Sequence, residues 1–308
     1  MNTKNIKIEP WVNGIQNIHD ASRTPTSNIV NGTNIDIDID GVVTPRKGYT
    51  FLLADTHSLF EHDNVVYGIH QDRVCIIDEY EARAISDPIV THDVSWTVLN
   101  GDPVFTNSDM LYKVTGYTVT NMQDELDAYN GELAEEALLS GKPVEIECSA
   151  MPGGNHIAYW RGHLLVAKGR TLFVSKALHY GIYENDAGVY PFEGKIEFLV
   201  SLDNGVYISV RGIGVYFMHG KSPSTWERVL SSTEVAQEGA AIAISSSYFK
   251  LDGVQTGPVF AVWFTRFGFT IGLPSGDVIF PQVNSLDELP IGTGSLSYKN
   301  GRLTLLSQ

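Results

Sequence analysis

The apolar and polar positions along the chain repeat one layout: a short apolar run, a polar turn of a few residues, and a second apolar run. In each repeat, β-branched and aromatic residues flank turn-forming residues, which is the signature of a β-hairpin. The five clear segments are residues 65–77 (VVYGIHQDRVCII), 104–114 (VFTNSDMLYKV), 164–174 (LLVAKGRTLFV), 206–218 (VYISVRGIGVYFM) and 267–280 (FGFTIGLPSGDVIF). A sixth candidate, residues 295–305 (SLSYKNGRLTL), carries Asn-Gly at its tip, the strongest short hairpin signal.

The hairpins follow one another at intervals of roughly 40 to 60 residues, and a further apolar run precedes several of them. A hairpin with leading strands, repeated at this period, is typical of a propeller blade, because one blade cannot bury both faces alone. The pattern therefore predicts an all-β chain that forms a single β-propeller domain of five to six blades over residues 1–308. A large β-sandwich or β-barrel is the alternative. The leading runs are residues 94–99, 156–160, 196–202 and 258–264.

Residues 33–41 (TNIDIDIDG) alternate strictly between isoleucine and aspartate, which predicts a half-buried strand. A propeller removes its open sheet edges by closing its ring, often by pairing the two ends of the chain in one blade. We therefore expect this strand, or residues 42–53 beside it, to pair with the C-terminal hairpin.

The aspartates of that segment also match the first half of an EF-hand loop, in which carboxylates at alternate positions converge on a cation. The twelfth position of the loop is Lys47, where a bidentate glutamate is required. An extended strand would also point its acids in parallel. Asp36, Asp38 and Asp40 are therefore a weak candidate, and no metal site is predicted.

One segment, residues 123–139 (QDELDAYNGELAEEALL), breaks the β pattern. It places Leu126, Tyr129, Leu133 and Ala137 at helical spacing, with acidic residues on the other side and in the first turn. The spacing predicts a short surface helix inserted between two blades.

Composition narrows the function classes. The formal net charge is −15 with no cluster of lysine and arginine, which argues against specific nucleic-acid binding. The sequence contains no run of 18 apolar residues, so no membrane-spanning helix is predicted. The N-terminus lacks the apolar region of a secretory signal. The two cysteines, Cys75 and Cys148, have no metal-type spacing and suit small buried side chains. No nucleophile elbow, dinucleotide or zinc motif is present, so we expect neither a catalytic residue nor a cofactor.

Aromatic side chains crowd into the irregular segment 179–194 and the strand before it. Such a segment could present stacking surfaces to a sugar or a protein partner, whereas packing between blades is the alternative. The candidate binding residues are Tyr180, Tyr183, Tyr190 and Phe192.

Three stretches of the chain share a recurring style of turns and aromatic residues. The N-terminal part reads WVNGIQN at residues 11–17 and NIDID, Gly and PRKGY within residues 34–49. Residues 159–175 read YWRGHLLVAKGRTLFVS, and residues 192–220 continue in that style. In these stretches, which touch about two thirds of the chain, the sequence resembles virion proteins of tailed bacteriophages, and residues 159–175 resemble a blade of those proteins.

The resemblance implies a β-propeller component of a phage tail, akin to nozzle, hub or DNA-stabilising accessory proteins. It implies a non-enzymatic virion protein, made in the host cytoplasm, that forms homo-oligomers, contacts other tail proteins, and contributes to host attachment or DNA passage. The chain departs from those relatives in its short length and in the insertion at residues 123–139. Two other functions stay open: a propeller that binds or cleaves host-surface glycans, and a cellular scaffold for protein partners.

Overall fold

The computed structural model describes residues 35–37, 43–45, 53–78, 81–90, 92–140, 148–247, 258–284, 292–299 and 302–307. These residues form five four-stranded antiparallel sheets, three two-stranded sheets and one α-helix. The first two-stranded sheet pairs β1 (Ile35–Ile37) with β2 (Val43–Pro45). The five larger sheets are the blades of a β-propeller, as the sequence predicts.

Blades 1 and 2 are simple meanders, in which each strand pairs with the next. In blades 1 to 4 the predicted hairpin segment supplies the second and third strands, whereas in blade 5 residues 267–280 supply the third and fourth. Blade 1 consists of β3 (Thr56–His62), β4 (Val65–His70), β5 (Arg73–Ile77) and β6 (Ala82–Ala84). Blade 2 consists of β7 (Ser95–Leu99), β8 (Asp102–Thr106), β9 (Leu111–Thr115) and β10 (Thr118–Asn121).

The predicted helix lies between blades 2 and 3 and runs over Glu125–Ser140 (α1), two residues later at its start than expected. A 3-10 turn, Met122–Asp124, precedes it because the Asn121 side chain caps the backbone N–H of Gln123. Glu125 anchors the helix: its carboxylate accepts a hydrogen bond from the backbone N–H of Gly181 at 2.6 Å. The C-terminal half carries the exposed side chains of Leu138 and Leu139.

Blade 3 departs from the simple meander, because its third and fourth strands are separated by a long excursion. A strand of that excursion, β15 (Ile182–Glu184), pairs with β11 (Cys148–Ala150), which follows the helix. Blade 3 consists of β12 (His156–Trp160), β13 (His163–Lys168), β14 (Thr171–Val174) and β16 (Val189–Pro191).

Blades 4 and 5 are again meanders, and a terminal hairpin follows them. Blade 4 consists of β17 (Ile196–Leu202), β18 (Gly205–Val210), β19 (Gly214–His219) and β20 (Glu227–Ser232). Blade 5 consists of β21 (Ala236–Ser245), β22 (Val259–Thr265), β23 (Gly268–Gly272) and β24 (Val278–Ile279). The terminal hairpin consists of β25 (Gly294–Lys299) and β26 (Arg302–Ser307).

The first strand of each blade lies innermost. β12 contacts both β7 and β17, β17 contacts β21, and β21 contacts β25. Blades 1 and 2 are joined in the same way, since the Trp96 ring N–H donates to the carbonyl of Ser58 at 2.8 Å. The inner strands therefore surround a common axis, with β25 in the sixth position after blade 5.

Five apolar clusters hold the blades together, and each is built from two neighbours. Blade 2 packs on blade 1 around Phe105 and on blade 3 around Leu164, while blade 4 packs on blade 3 around Ile208 and on blade 5 around Trp263. The fifth cluster joins blade 5 to the terminal hairpin. The second strand of blade 4 is buried along its whole length, because it is covered on both faces.

Antiparallel meandering gives the propeller two distinct ends. The start face holds the beginnings of the inner strands and the turns between second and third strands. The end face holds the turns between first and second strands and those between third and fourth strands.

The expected closure between the N-terminal strand and the terminal hairpin stays a prediction. The described part of the N-terminal segment pairs β1 with β2, and most of residues 33–53 lies outside the described residues. No helix in the described ranges is long and apolar enough to cross a membrane.

Candidate functional site

The four predicted aromatic residues do not form one surface. Tyr180 is buried between blades 2 and 3, with its ring centroid 6.3 Å from that of Tyr159, and burial raises the pKa of its hydroxyl. Tyr183 packs beside the same cluster, edge-on to Phe173 at 5.2 Å. These two residues connect β15 to blade 3.

Tyr190 and Phe192 lie on the other side of blade 3, against blade 4. The Tyr190 hydroxyl donates to the carbonyl of Pro223 at 2.8 Å, and burial raises the pKa of that hydroxyl. Phe192 is buried, and the guanidinium of Arg228 lies 5.1 Å from its ring centroid. The four side chains therefore pack on the two sides of blade 3 and do not share one surface.

The candidate cation ligands are described only in part. Asp36 lies in β1 opposite Thr44, in the extended conformation that the alternation predicts, whereas Asp38 and Asp40 lie outside the described residues. Among the residues that the structure describes, no three histidine, cysteine, aspartate or glutamate side chains gather as metal ligands would.

A network of charged side chains lies on the start face, where the inner strands of blades 4 and 5 begin. The Arg211 side chain, at the tip of the β18–β19 turn, donates from Nε to Glu197 Oε1 at 2.8 Å and from Nη2 to Glu238 Oε2 at 2.5 Å. Lys195 donates its ammonium to the other oxygen of Glu238. The network holds two cations and two carboxylates, so its formal charge is balanced.

Burial makes this network a structural clamp between blades. The Glu197 side chain is only 5% exposed, and the Ser209 hydroxyl donates to its second oxygen at 3.3 Å. The bond to Glu197 raises the pKa of Arg211, with the charge of Glu238 adding to the effect. Arg211 thereby links a strand of blade 4 to the first strand of blade 5.

His156, the first residue of β12, lies near this network. Its Nε2 atom is buried and has no hydrogen-bond partner. Loss of solvation lowers the pKa of His156 from 6.5 to about 4. The nearby negative charge of Glu238 raises this pKa, and the positive charge of Lys195 lowers it further. The imidazole is therefore neutral at pH 7.

The end face carries an open polar groove that begins between blades 3 and 4. Its inner part, of about 310 Å³, is lined by Arg161, Asn204, His219 and the β23–β24 turn at Ser275. Its outer part, of about 410 Å³, shares Phe217, His219 and Ser275 and continues between β20 and β24. The groove thus collects side chains from three successive blades.

The floor of the groove is held in place from below. The buried Tyr207 hydroxyl donates to the carbonyl of Leu273 at 2.6 Å, which fixes the start of the β23–β24 turn. Gly276 of that turn has φ of 92°, and a Cβ there would lie 2.8 Å from the Phe217 ring. The His219 ring stacks on Phe217, with the ring centroids 5.7 Å apart.

The outer strand of blade 4 has an open edge. β20 is six residues long and, among the described strands, pairs only with β19. Val229 and Leu230 at its centre are 49% and 43% exposed. Long edge strands with exposed apolar side chains are templates for pairing with another chain.

Sequence reasoning does not find the charged network, the groove or the open edge. The sequence holds one signal for the network. Lys195 and Glu197 flank Ile196, the first residue of the predicted run 196–202, so Glu197 places a charge inside an otherwise apolar run. The other contacts join residues from different blades.

No protein-family model matches this sequence, and no curated protein matches it. The computationally designed Ika8 protein matches at 12% identity with a TM-score of 0.47, covering 82% of this chain and 71% of that one. BBS1N in complex with ARL6DN matches at 11% identity with a TM-score of 0.48, over 89% of this chain and 83% of that one. Hsv2 of Kluyveromyces lactis matches at 8% identity with a TM-score of 0.45, over 86% and 79%. At these values the likeness carries no argument about what this chain does; its own sheets define it as a β-propeller protein.

Proposed function

We propose that this chain is a non-enzymatic structural subunit of a phage tail, which assembles with copies of itself and with other tail proteins. The phage part of the proposal rests on the sequence resemblance in residues 11–49, 159–175 and 192–220. The assembly part rests on the open edge of β20, with its two exposed aliphatic side chains.

The strand suits pairing with the same strand of a second copy. In an antiparallel pair centred between Val229 and Leu230, Glu227 faces Ser232 and Arg228 faces Ser231. Like charges directly opposite each other would destabilise the pair, and this register places none opposite each other. Arg228 is already engaged within its own subunit, since it pairs with Glu193 at 3.1 Å. The pairing would join two four-stranded blades into one continuous sheet across a two-fold axis.

The charged network supports a structural function over a catalytic one. Its carboxylates are bound by arginine and lysine of the same chain, and it ties blade 4 to blade 5. Charges paired in this way stabilise one arrangement of the blades, as expected for a rigid subunit.

The test of assembly is the mass of the purified full chain in solution. We expect mass photometry at nanomolar to micromolar concentrations to show dimers or larger oligomers, and negative-stain images to show ordered particles. Leu230→Lys should shift the protein towards monomers, because lysine on an edge strand opposes pairing with another chain and would here replace the apolar side chain that faces Val229 of the second copy. Leu139→Lys, at an exposed position of α1, is the matched control and should leave the mass unchanged.

A wild-type protein that stays monomeric over that range would overturn the assembly proposal. The phage part is tested by the neighbouring genes, because tail genes cluster; neighbours unrelated to virions would contradict it. Hydrolysis of host polysaccharide by the purified protein would instead favour the glycan-cleaving alternative.

A further inference from the structure

Arg161 occupies a backbone position that does not suit it. It is the first residue of the tight turn between β12 and β13 and has φ of 44°, in the left-handed region. The equivalent turns of blades 1 and 2 place Asp63 and Asn100 there, with φ of 50° and 53°. Aspartate and asparagine tolerate this conformation, whereas a long side chain is strained in it. Departures from local turn chemistry are expected where a side chain serves a function.

The side chain of Arg161 lines the inner part of the groove. Its guanidinium lies 5.3 Å from the Trp160 ring centroid, which restricts the directions in which it can point. Asn204, from the equivalent turn of blade 4, and His219 contribute further hydrogen-bonding groups to the same space. The strained arginine therefore stands at one end of a shallow site with several polar groups.

An acceptor lies at the other end. The Asp277 carboxylate lines the outer part of the groove and accepts a hydrogen bond from the Ser275 hydroxyl at 2.8 Å. A free carboxylate oxygen there would accept from a ligand hydroxyl and would repel a phosphate. Arg161 at the first end would bind a planar anion through two parallel hydrogen bonds.

We propose that this groove binds an acidic saccharide, with the sugar carboxylate on Arg161 and sugar hydroxyls on Asn204, His219 and Asp277. A ligand that carries both a carboxylate and hydroxyl donors satisfies both ends of the groove. The inference goes beyond the structural function proposed above: Arg161 and Asn204 line the inner part of the groove, whereas Val229 and Leu230 of β20 line its outer part.

The test measures binding of 3′-sialyllactose and of trigalacturonate to the full chain, by saturation-transfer NMR and calorimetry, with lactose and inorganic phosphate as comparison probes. At least one acidic saccharide should bind, and lactose and phosphate should bind at least about tenfold more weakly, the loss expected for one bidentate ion pair. Arg161→Asn should weaken acidic-saccharide binding by a similar factor. That variant should also melt no lower than the wild type, because asparagine suits the turn.

Arg170→Asn is the matched control, since Arg170 is an exposed arginine in the β13–β14 turn on the opposite face. It should bind the saccharide as the wild type does. The proposal is overturned if neither acidic probe binds at millimolar concentration, if lactose or phosphate binds equally well, or if Arg161→Asn binds like the wild type.

Discussion

The buried imidazole of His156 gives this protein a definite dependence of stability on pH. Its pKa in the folded chain is about 4, below the ordinary value of 6.5. Between these values the unfolded chain holds a proton that the folded chain does not. Stability from this group is therefore complete above pH 6.5 and is lost as the pH falls towards 4.

The size of the effect follows from the two pKa values. One pKa unit corresponds to about 1.4 kcal/mol, so the difference between 6.5 and about 4 amounts to about 3 kcal/mol in the free energy of unfolding. Charge near the imidazole comes from Glu238 on β21 and Lys195 before β17, which oppose each other. Loss of solvation at the buried imidazole is therefore what lowers the pKa of His156.

The assay is urea denaturation of the wild type and of His156→Gln at a series of pH values from 7.5 to 4.5. Glutamine removes the proton site, so the difference in unfolding free energy between the two proteins should change by about 2 to 3 kcal/mol across the series, with the wild type losing more at low pH. NMR titration of the His156 ring gives its pKa directly. Parallel curves for the two proteins, or a ring that titrates near 6.5, would refute the reasoning; His156→Asn should repeat the result of glutamine.

Two further outcomes follow from the clamps between blades. Arg211→Ala should lower the unfolding free energy by about 1 to 3 kcal/mol, since it strands the buried carboxylate of Glu197; the value lies below that of a fully buried pair because Arg211 is itself 55% exposed. Adding Glu197→Gln should restore part of this loss, and additive losses would contradict the coupling. Deleting residues 298–308 removes β26 and uncovers the outer side of blade 5, so we expect cooperative unfolding to disappear; a truncated protein with a normal melting curve would show that the hairpin is dispensable.

Local pattern accounts for most of the strands. The runs predicted at residues 156–160 and 196–202 coincide with β12 and β17, and the Asn-Gly tip at residues 300–301 lies between β25 and β26. In these segments apolar residues alternate or cluster at the spacing of a strand, and turn residues mark both ends, so no distant contact is needed to recognise them.

The inner strand of blade 5 shows where that approach fails. β21 covers Ala236–Ser245 and is rich in alanine, a residue with low preference for strands. It is extended because it pairs with β22 and lies between β17 and β25, contacts that no local window contains. The predicted leading run of this blade, residues 258–264, is therefore its second strand.

The same reasoning explains the functional surfaces. The aromatic residues were visible as a cluster in sequence, but the fold distributes Tyr180 and Phe192 to opposite sides of blade 3. Arg161 and Asp277 are more than a hundred residues apart in the chain, and only the succession of blades brings them to one groove. The position of a candidate site in a propeller thus depends on which turns lie on the same face. The sequence alone does not show which turns these are.

The placement of α1 bears on how such chains diversify. The helix leaves the ring after β10 and the chain returns through β11, while β12 still lies against β7. Its second half exposes Leu138 and Leu139 and takes no part in the apolar clusters of the described residues. We therefore expect this connection to accept an added module, or a fused fluorescent or electron-dense marker, without a change in the order of the blades.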